Sequence, residues 1–190
     1  YSYATTPEAA QNEANLVLQW ISNYTVNYPV VFDIEDKCHK NLSNQQLIDI
    51  INAFCTTIDA AGYHPMVYSY KNMFTSKLSI CGWDKWVAQY SSNCDYNNNV
   101  WQYSSYGKVN GFGSRVDVNY QYKDYSTLII PEGFIAHNGQ TRFYRNWKMQ
   151  RGWVDYNDTR YYLDGAGNLV RGWFTDDKGT YYLTPEDGQI

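Results

Sequence analysis

The sequence predicts an α/β fold, a parallel sheet of the barrel type, followed by a C-terminal module of β-hairpin repeats. Three observations predict it. Through the first two thirds of the chain, strand-like apolar runs alternate with helix-patterned segments, and alternating βα units argue for a parallel sheet. One of those runs, Pro29-Val30-Val31-Phe32-Asp33-Ile34-Glu35-Asp36, climbs through apolar residues and ends in three acids. After Pro131 the texture changes to aromatic units that recur about every twenty residues.

The acidic run organises the first part. Residues two apart in a strand share a face, so Asp33 and Glu35 point the same way above Val31. Val30, Phe32 and Ile34 point oppositely and suit packing under helices. A strand doubly acidic at its C-terminal end fits the mouth of an α/β barrel, where active sites sit. At ~3.3 Å per residue the two Cα atoms are about 7 Å apart, within range for two-carboxylate chemistry on a glycosidic bond. The plain alternative is a strand running into an acidic, solvated turn.

The other elements follow in order. Tyr1 to Ala4 read as a strand end. Thr6 caps a helix with Pro7 at its first position and Glu8 at its positive end, and Ala10, Ala14, Leu16, Val17, Trp20 and Ile21 form its apolar stripe. The acidic strand spans 29–35. Ser43, with Gln46 three residues on, caps a second helix whose buried face is Leu47, Ile48, Ile51, Phe54, Cys55 and Ile58, and Gly62 stops it. Strands are expected at 65–70, 86–90, 100–103 and 115–120, with a short helix at 71–79. In the last strand Val116 and Val118 share one face, Asp117 and Asn119 the other. A second inward-pointing polar pair near a strand end favours the site reading of Asp33 and Glu35.

Bulk properties bound the function. A net charge of −4 does not suggest nucleic acid as a partner. No apolar run approaches the ~20 residues needed to span a bilayer. Twenty Tyr and seven Trp against 15 Lys+Arg suit carbohydrate or quaternary-ammonium surfaces, or a Tyr-rich β-protein. Cys38, Cys55, Cys81 and Cys94 lack metal-like spacing and are either paired in one of three ways or free buried thiols. The chain opens inside a strand without Met or signal peptide and reads as a fragment or processed form, so a missing signal says nothing about export.

In the C-terminal part, Gly152-Trp153 through Tyr161-Tyr162-Leu163 recurs twenty residues later as Gly172-Trp173 through Tyr181-Tyr182-Leu183. A weaker copy holds Gly133-Phe134 and Arg142-Phe143-Tyr144. Each unit reads as a hairpin, turning at Asn-Asp or Asp-Lys-Gly, and a lone hairpin cannot bury its aromatic face, so stacking is expected.

Taken together, Tyr1-Ser2-Tyr3-Ala4, Asp33-Ile34-Glu35-Asp36, Trp101-Gln102-Tyr103-Ser104 and Val116-Asp117-Val118-Asn119 resemble, in order and spacing, glycoside hydrolase family 25 over about residues 1–122. These are the Chalaropsis-type lysozymes, common as phage endolysins and bacterial autolysins. The resemblance implies a modified barrel of five βα units closed by three further strands. It also implies cleavage of the β-1,4 bond between N-acetylmuramic acid and N-acetylglucosamine. It places Glu35 as the catalytic acid, with Asp33 and Asp117 as electrostatic and orienting partners, and the substrate's acetamido group as nucleophile. Tyr68 and Tyr90 are candidates to stack on sugar, or else core tyrosines. An earlier barrel strand bearing a further active-site Asp, with about two βα units, has no counterpart here. Residues 1–130 are therefore expected to form a truncated, partial (β/α)-barrel with open edges, weakly active or inactive alone and prone to aggregate.

Residues 131–190 resemble cell-wall-binding repeats of the choline-binding type. Arg142, Arg160 and Thr180 stand where choline binders place a Trp, which leaves a wall glycan or choline-bearing teichoic acid as ligand. Trp153, Tyr161, Trp173 and Tyr181 are the candidate wall-binding residues. The expected function is a peptidoglycan hydrolase, an N-acetylmuramidase targeted by its repeats, outside the cell at the bacterial wall. The alternative is a non-catalytic surface protein that binds glycan or choline. No cofactor and no metal is called for; a weaker third reading makes Asp33, Glu35 and Asp36 an acidic metal site.

Overall fold

The computed structural model describes residues 1–190 apart from the side chain of His137. The chain divides into two compact units, residues 1–24 with 28–125, and residues 25–27 with 126–190.

In the first unit, helix α1 (Pro7–Ile21) starts as its sequence dictates, with Thr6 Oγ1 accepting from Ala9 N and Pro7 in the first turn. Strand β1 (Val30–Asp33) follows and is shorter than the expected 29–35. Ile34 still donates its N–H to the Tyr68 carbonyl, but the chain then turns into a short 3₁₀ segment, Lys37–His39, capped by Asp36. Helix α2 (Asn44–Ala60) opens on a complete capping box: Ser43 Oγ accepts from Gln46 N while Gln46 Oε1 accepts from Ser43 N. Gly62, at φ +87°, ends it in a left-handed turn. Then come β2 (Pro65–Tyr70), α3 (Lys71–Ser76), β3 (Asp84–Ala88), β4 (Val100–Gly107) and β5 (Val116–Gln121).

These strands form one curled sheet in the order β1-β2-β3-β4-β5, a partial barrel, with β1 to β4 parallel and β5 antiparallel to β4. The residues that pair share a face, so the register reads out the layers of the concave side. Val31, Met66 and Asp84 lie in the lowest layer. Asp33, Tyr68, Trp86 and Val100 lie in the next. Tyr70, Ala88, Gln102 and Asn119 lie above them, at the C-terminal ends of the parallel strands. The convex side is apolar and packs under the helices: Phe32 and Phe54 stack at 4.4 Å, and Ile34, Val67, Val87, Leu47, Ile51 and Ile58 are fully buried. Burying each such side chain contributes ~1.5–3 kcal/mol.

At the lowest layer a polar cluster closes the sheet. Asp84 Oδ2 accepts from His64 Nε2 at 2.8 Å, Lys123 Nζ at 2.6 Å and Tyr125 Oη at 2.9 Å. Burial acts to raise the Asp84 carboxyl, but the hydrogen bonds and charges of His64 and Lys123 outweigh it and hold the group well below the usual carboxylate range. All four cysteines are free thiols.

The second unit consists of hairpins. β6 (Glu132–His137), β7 (Gln140–Arg145) and β8 (Lys148–Met149) form one antiparallel sheet, β9 (Gly152–Tyr156) pairs with β10 (Thr159–Leu163), and β11 (Gly172–Thr175) pairs with β12 (Thr180–Leu183). Asn157 and Asp158 both have positive φ, as a two-residue hairpin turn demands. Phe143, Val154 and Leu163 form the core, with Phe134, Tyr156 and Leu169 against it. Among the described residues no helix is long and apolar enough to cross a membrane.

Candidate active site

The C-terminal mouth of the sheet collects the residues singled out from sequence. Asp33 ends β1 facing the concave side, and Glu35, two residues on, continues that face. Glu35 lines a recess of about 190 Å³ with Tyr68, Tyr70, Ala88 and Tyr90. Asp117 lies on the exposed face of β5 with Asn119. Two tyrosines feel the charges of all three acids. The Tyr68 hydroxyl is pushed up by burial and then by the charges of Glu35, Asp33 and Asp117. Tyr1, four fifths exposed, is raised by the charges of Glu35 and Asp33, then by burial, with Asp117 adding least. Asp33 lines a neighbouring recess of about 320 Å³ with Tyr1, Ser2 and Glu13.

The acids are not equivalent. Asp33 is half-buried, and its Oδ1 is enclosed without a hydrogen-bond partner. Burial, and then the Glu35 charge, lift its carboxyl from 3.8 to about 6. Asp36, the third acid of the run, accepts from Cys38 N at 2.9 Å and is held low by that bond. It is a cap on the 3₁₀ segment. Among the described residues no three His, Cys, Asp or Glu side chains group so as to hold a metal ion, which corrects the reading of Asp33, Glu35 and Asp36 as a metal site.

The backbone around Asp33 is pinned from several sides. Ser2 N donates to the Asp33 carbonyl at 2.9 Å, and Ser69 Oγ donates to the Ile34 carbonyl at 2.7 Å. Fully buried His39 donates from Nε2 to the Ala4 carbonyl at 3.0 Å. These bonds tie the acidic turn to both neighbouring segments.

One residue escaped the sequence reading. Gln102, only 3% exposed, accepts at Oε1 from both Tyr68 Oη at 3.0 Å and Tyr90 Oη at 3.1 Å. A single amide oxygen therefore orients both tyrosines of the recess. Beside it Trp86 Nε1 donates to Asn119 Oδ1 at 2.7 Å, and the Trp86 ring meets Tyr68 edge-on at 5.2 Å. The available signal was a Gln inside an aromatic strand, Trp101-Gln102-Tyr103, on the face shared with Asn119.

In the repeat unit, Trp153 meets Tyr162, Phe174 and Tyr181 edge-on and donates Nε1 to Asp176 at 2.9 Å. Trp173 is 76% exposed beside Tyr182. Tyr161 is buried against Phe134, inside the core. Arg160 is paired with Asp155 at 2.7 Å.

Comparison with known proteins places this geometry. The model of glycosyl hydrolases family 25 matches residues 1–112, more than half of the chain. The chain belongs to this family. Residues 152–169 and 172–190 match a cell wall binding repeat. The modular autolysin LytC from Streptococcus pneumoniae is 29% identical, with a TM-score of 0.56 over 63% of this chain and 32% of LytC. LytC has also been solved in complex with a synthetic peptidoglycan ligand. The uncharacterized protein YegX of Escherichia coli O157:H7 is 27% identical over 126 residues, 63% of this chain and 46% of YegX. The CTP1L endolysin, 22% identical at a TM-score of 0.52 over 66% of this chain and 46% of its own, shares the fold. The chain thus spans less than half the length of each of these relatives.

Proposed function

We propose that the family 25 unit is a peptidoglycan hydrolase site acting on the β-1,4 bond between N-acetylmuramic acid and N-acetylglucosamine. The observation that carries this is Glu35 lining a recess with Tyr68 and Tyr90, two residues beyond Asp33 at the end of β1, in a chain of a glycosidase family. The peptidoglycan-bound structure of LytC supports the choice of substrate.

In this reading Glu35 donates the proton to the leaving glycosidic oxygen and takes one back from water. Asp117 and ionised Asp33 stabilise the positive charge that develops on the sugar ring. Below about pH 6, Asp33 keeps its own proton and is a hydrogen-bond donor to an acceptor on the bound sugar. Tyr68 and Tyr90, oriented through Gln102, form the sugar-facing wall. The repeats hold the enzyme on the bacterial wall, with exposed Trp173 as the contact residue, while Trp153 and Tyr181 pack on each other. Tyr161, facing the core, is left to packing.

The test is release of new reducing ends from purified peptidoglycan, with Glu35→Gln as the paired control. Removing a general acid costs ~10²–10⁴-fold in rate. Where the wild-type chain releases reducing ends above the no-enzyme rate, a Glu35→Gln variant as fast as it would refute the assignment.

A further inference from the structure

Residues 108–115 join β4 to β5 in a loop that carries charge of the wrong sign for its surroundings. Strand β4 runs parallel to β1, so the loop rises at the end of the sheet where Glu35 and Asp117 lie. The two strands stay paired above the Gln102–Asn119 layer, with Ser104 opposite Val118 and Gly107 opposite Val116. The register shifts twice on the way, and such bulges re-aim a hairpin. A Cβ on Gly107 would come 2.3 Å from Val118 Cγ1 and 2.9 Å from the Val116 carbonyl, so glycine is needed where the strands close on each other.

The mouth below is lined by acids, yet no acidic residue occurs from Tyr96 to Val116. The loop instead carries Lys108 and Arg115, neither of which has a carboxylate partner among the described residues. The Arg115 guanidinium is held 4.2 Å from the centroid of the Tyr106 ring. Phe112 is 67% exposed and Val109 47%. The eight loop residues enclose an open recess of about 360 Å³. Exposed apolar groups beside two uncompensated cations fit an amphipathic acid. A neutral sugar would leave both charges unused.

We propose that this loop binds the anionic peptide branch carried by the muramyl sugar. The inference rests on the peptidoglycan reading of the site beneath it. Arg115, pre-oriented by Tyr106, takes a branch carboxylate through its paired N–H groups. Lys108 adds a second positive charge, and Phe112 and Val109 cover the aliphatic side chains of the peptide. The cations also offset the repulsion that Asp33, Glu35 and Asp117 would exert on an acidic substrate.

The test is calorimetric binding by the whole chain carrying Glu35→Gln, so that ligand is not consumed. The ligands are two soluble N-acetylglucosaminyl-N-acetylmuramyl oligosaccharides of equal length, one with the peptide branch and one whose muramyl carboxyl groups are capped as simple amides. The peptide-bearing ligand should bind at least ten-fold tighter in 50 mM salt, and the gap should narrow in 500 mM salt. Adding Lys108→Glu and Arg115→Glu should remove the preference and leave affinity for the bare glycan unchanged. Phe112→Ser should lower only the peptide-bearing affinity, by two- to five-fold. These residues are exposed, and an unchanged far-UV spectrum confirms the fold of each variant. Equal binding of both glycans, or equal weakening of both by the charge reversals, overturns the loop proposal alone. Tighter binding of a polyglycerol phosphate than of the peptide branch overturns it in favour of a wall polymer. Binding of neither glycan refutes the peptidoglycan reading itself.

Discussion

Replacing Asp33 by Asn should make stability less dependent on pH, by an amount that follows from where the side chain sits. Its carboxyl is raised from 3.8 to about 6, by burial first and by the Glu35 charge second. A rise of that size corresponds to ~3 kcal/mol between protonation states. The side chain is partly exposed, and solvent screening reduces this to roughly 1.5 kcal/mol. The sign follows from the direction. A group whose folded pKa lies above its unfolded value contributes most below the unfolded value and loses that contribution as pH rises through the folded one. The wild type should therefore lose stability between pH 4 and 7.5, while Asp33→Asn, which cannot ionise, should not share that loss. The gap between variant and wild type should grow in favour of the variant by ~1–1.5 kcal/mol over this range. Any constant effect of the amide, including the enclosed oxygen left without a partner, cancels in that difference. Urea unfolding at a series of pH values, followed by tryptophan fluorescence, measures it. A gap that is flat, or that shrinks as pH rises, would show that Asp33 is not held protonated by its surroundings.

Gln102→Leu should leave the half-buried Tyr68 hydroxyl without its acceptor at ~1–3 kcal/mol, release the exposed Tyr90 hydroxyl, and raise KM for a peptidoglycan substrate more than it lowers kcat. Gln102→Glu, which still accepts from both tyrosines, should restore part of the loss, and loss of kcat alone in steady-state kinetics would count against an orienting role. Asp84→Asn should cost ~2–4 kcal/mol in unfolding experiments, because His64 and Lys123 lose their shared partner. The Asp84 pKa is depressed by folding, so its contribution is complete above the ordinary carboxylate range and is lost as pH falls below it; the deficit should shrink as pH is lowered below ~4. In the repeat unit Trp153→Ala should destabilise by ~3 kcal/mol, whereas Trp173→Ala should leave thermal stability almost unchanged and lower retention on purified cell walls.

Much of the first unit is legible because its signals are local. Thr6-Pro7-Glu8 and Ser43 with Gln46 are capping chemistry that needs no tertiary partner, and both helices start where those residues place them. The alternation at 116–119 likewise survives as an exposed polar face on β5. The end of β1 was less legible. Alternation continues through Glu35, but Asp36 turns inward to cap the 3₁₀ segment and draws the chain off the ladder after Ile34. Gln102 was hidden for a different reason: its importance comes from tyrosines on β2 and beyond β3, thirty-four and twelve residues away. Asp33 and Glu35 look alike in sequence, and only the enclosure of Asp33 Oδ1 marks it as the acid that burial lifts.

The repeats set the limit most sharply, because the same residue type in the same register has different surroundings in successive units. Trp153 and Trp173 both follow the glycine that opens a hairpin, and each lies across from the second tyrosine of its own unit, Tyr162 or Tyr182. Trp153 is covered by Phe174 and Tyr181 of the next hairpin and bonded to its Asp176. Trp173 is left three quarters exposed. The first tyrosine of each pair differs too: Tyr161 is buried against Phe134 of an earlier hairpin, whereas Tyr181 packs on Trp153. A twenty-residue period fixes which residues are equivalent in sequence, but burial in a stacked array depends on what the adjoining unit brings. The role of an aromatic in such a module is therefore read from what covers it: Trp153, with Phe174, Tyr181 and Asp176 against it, serves the packing between two hairpins, whatever its equivalence in sequence to Trp173.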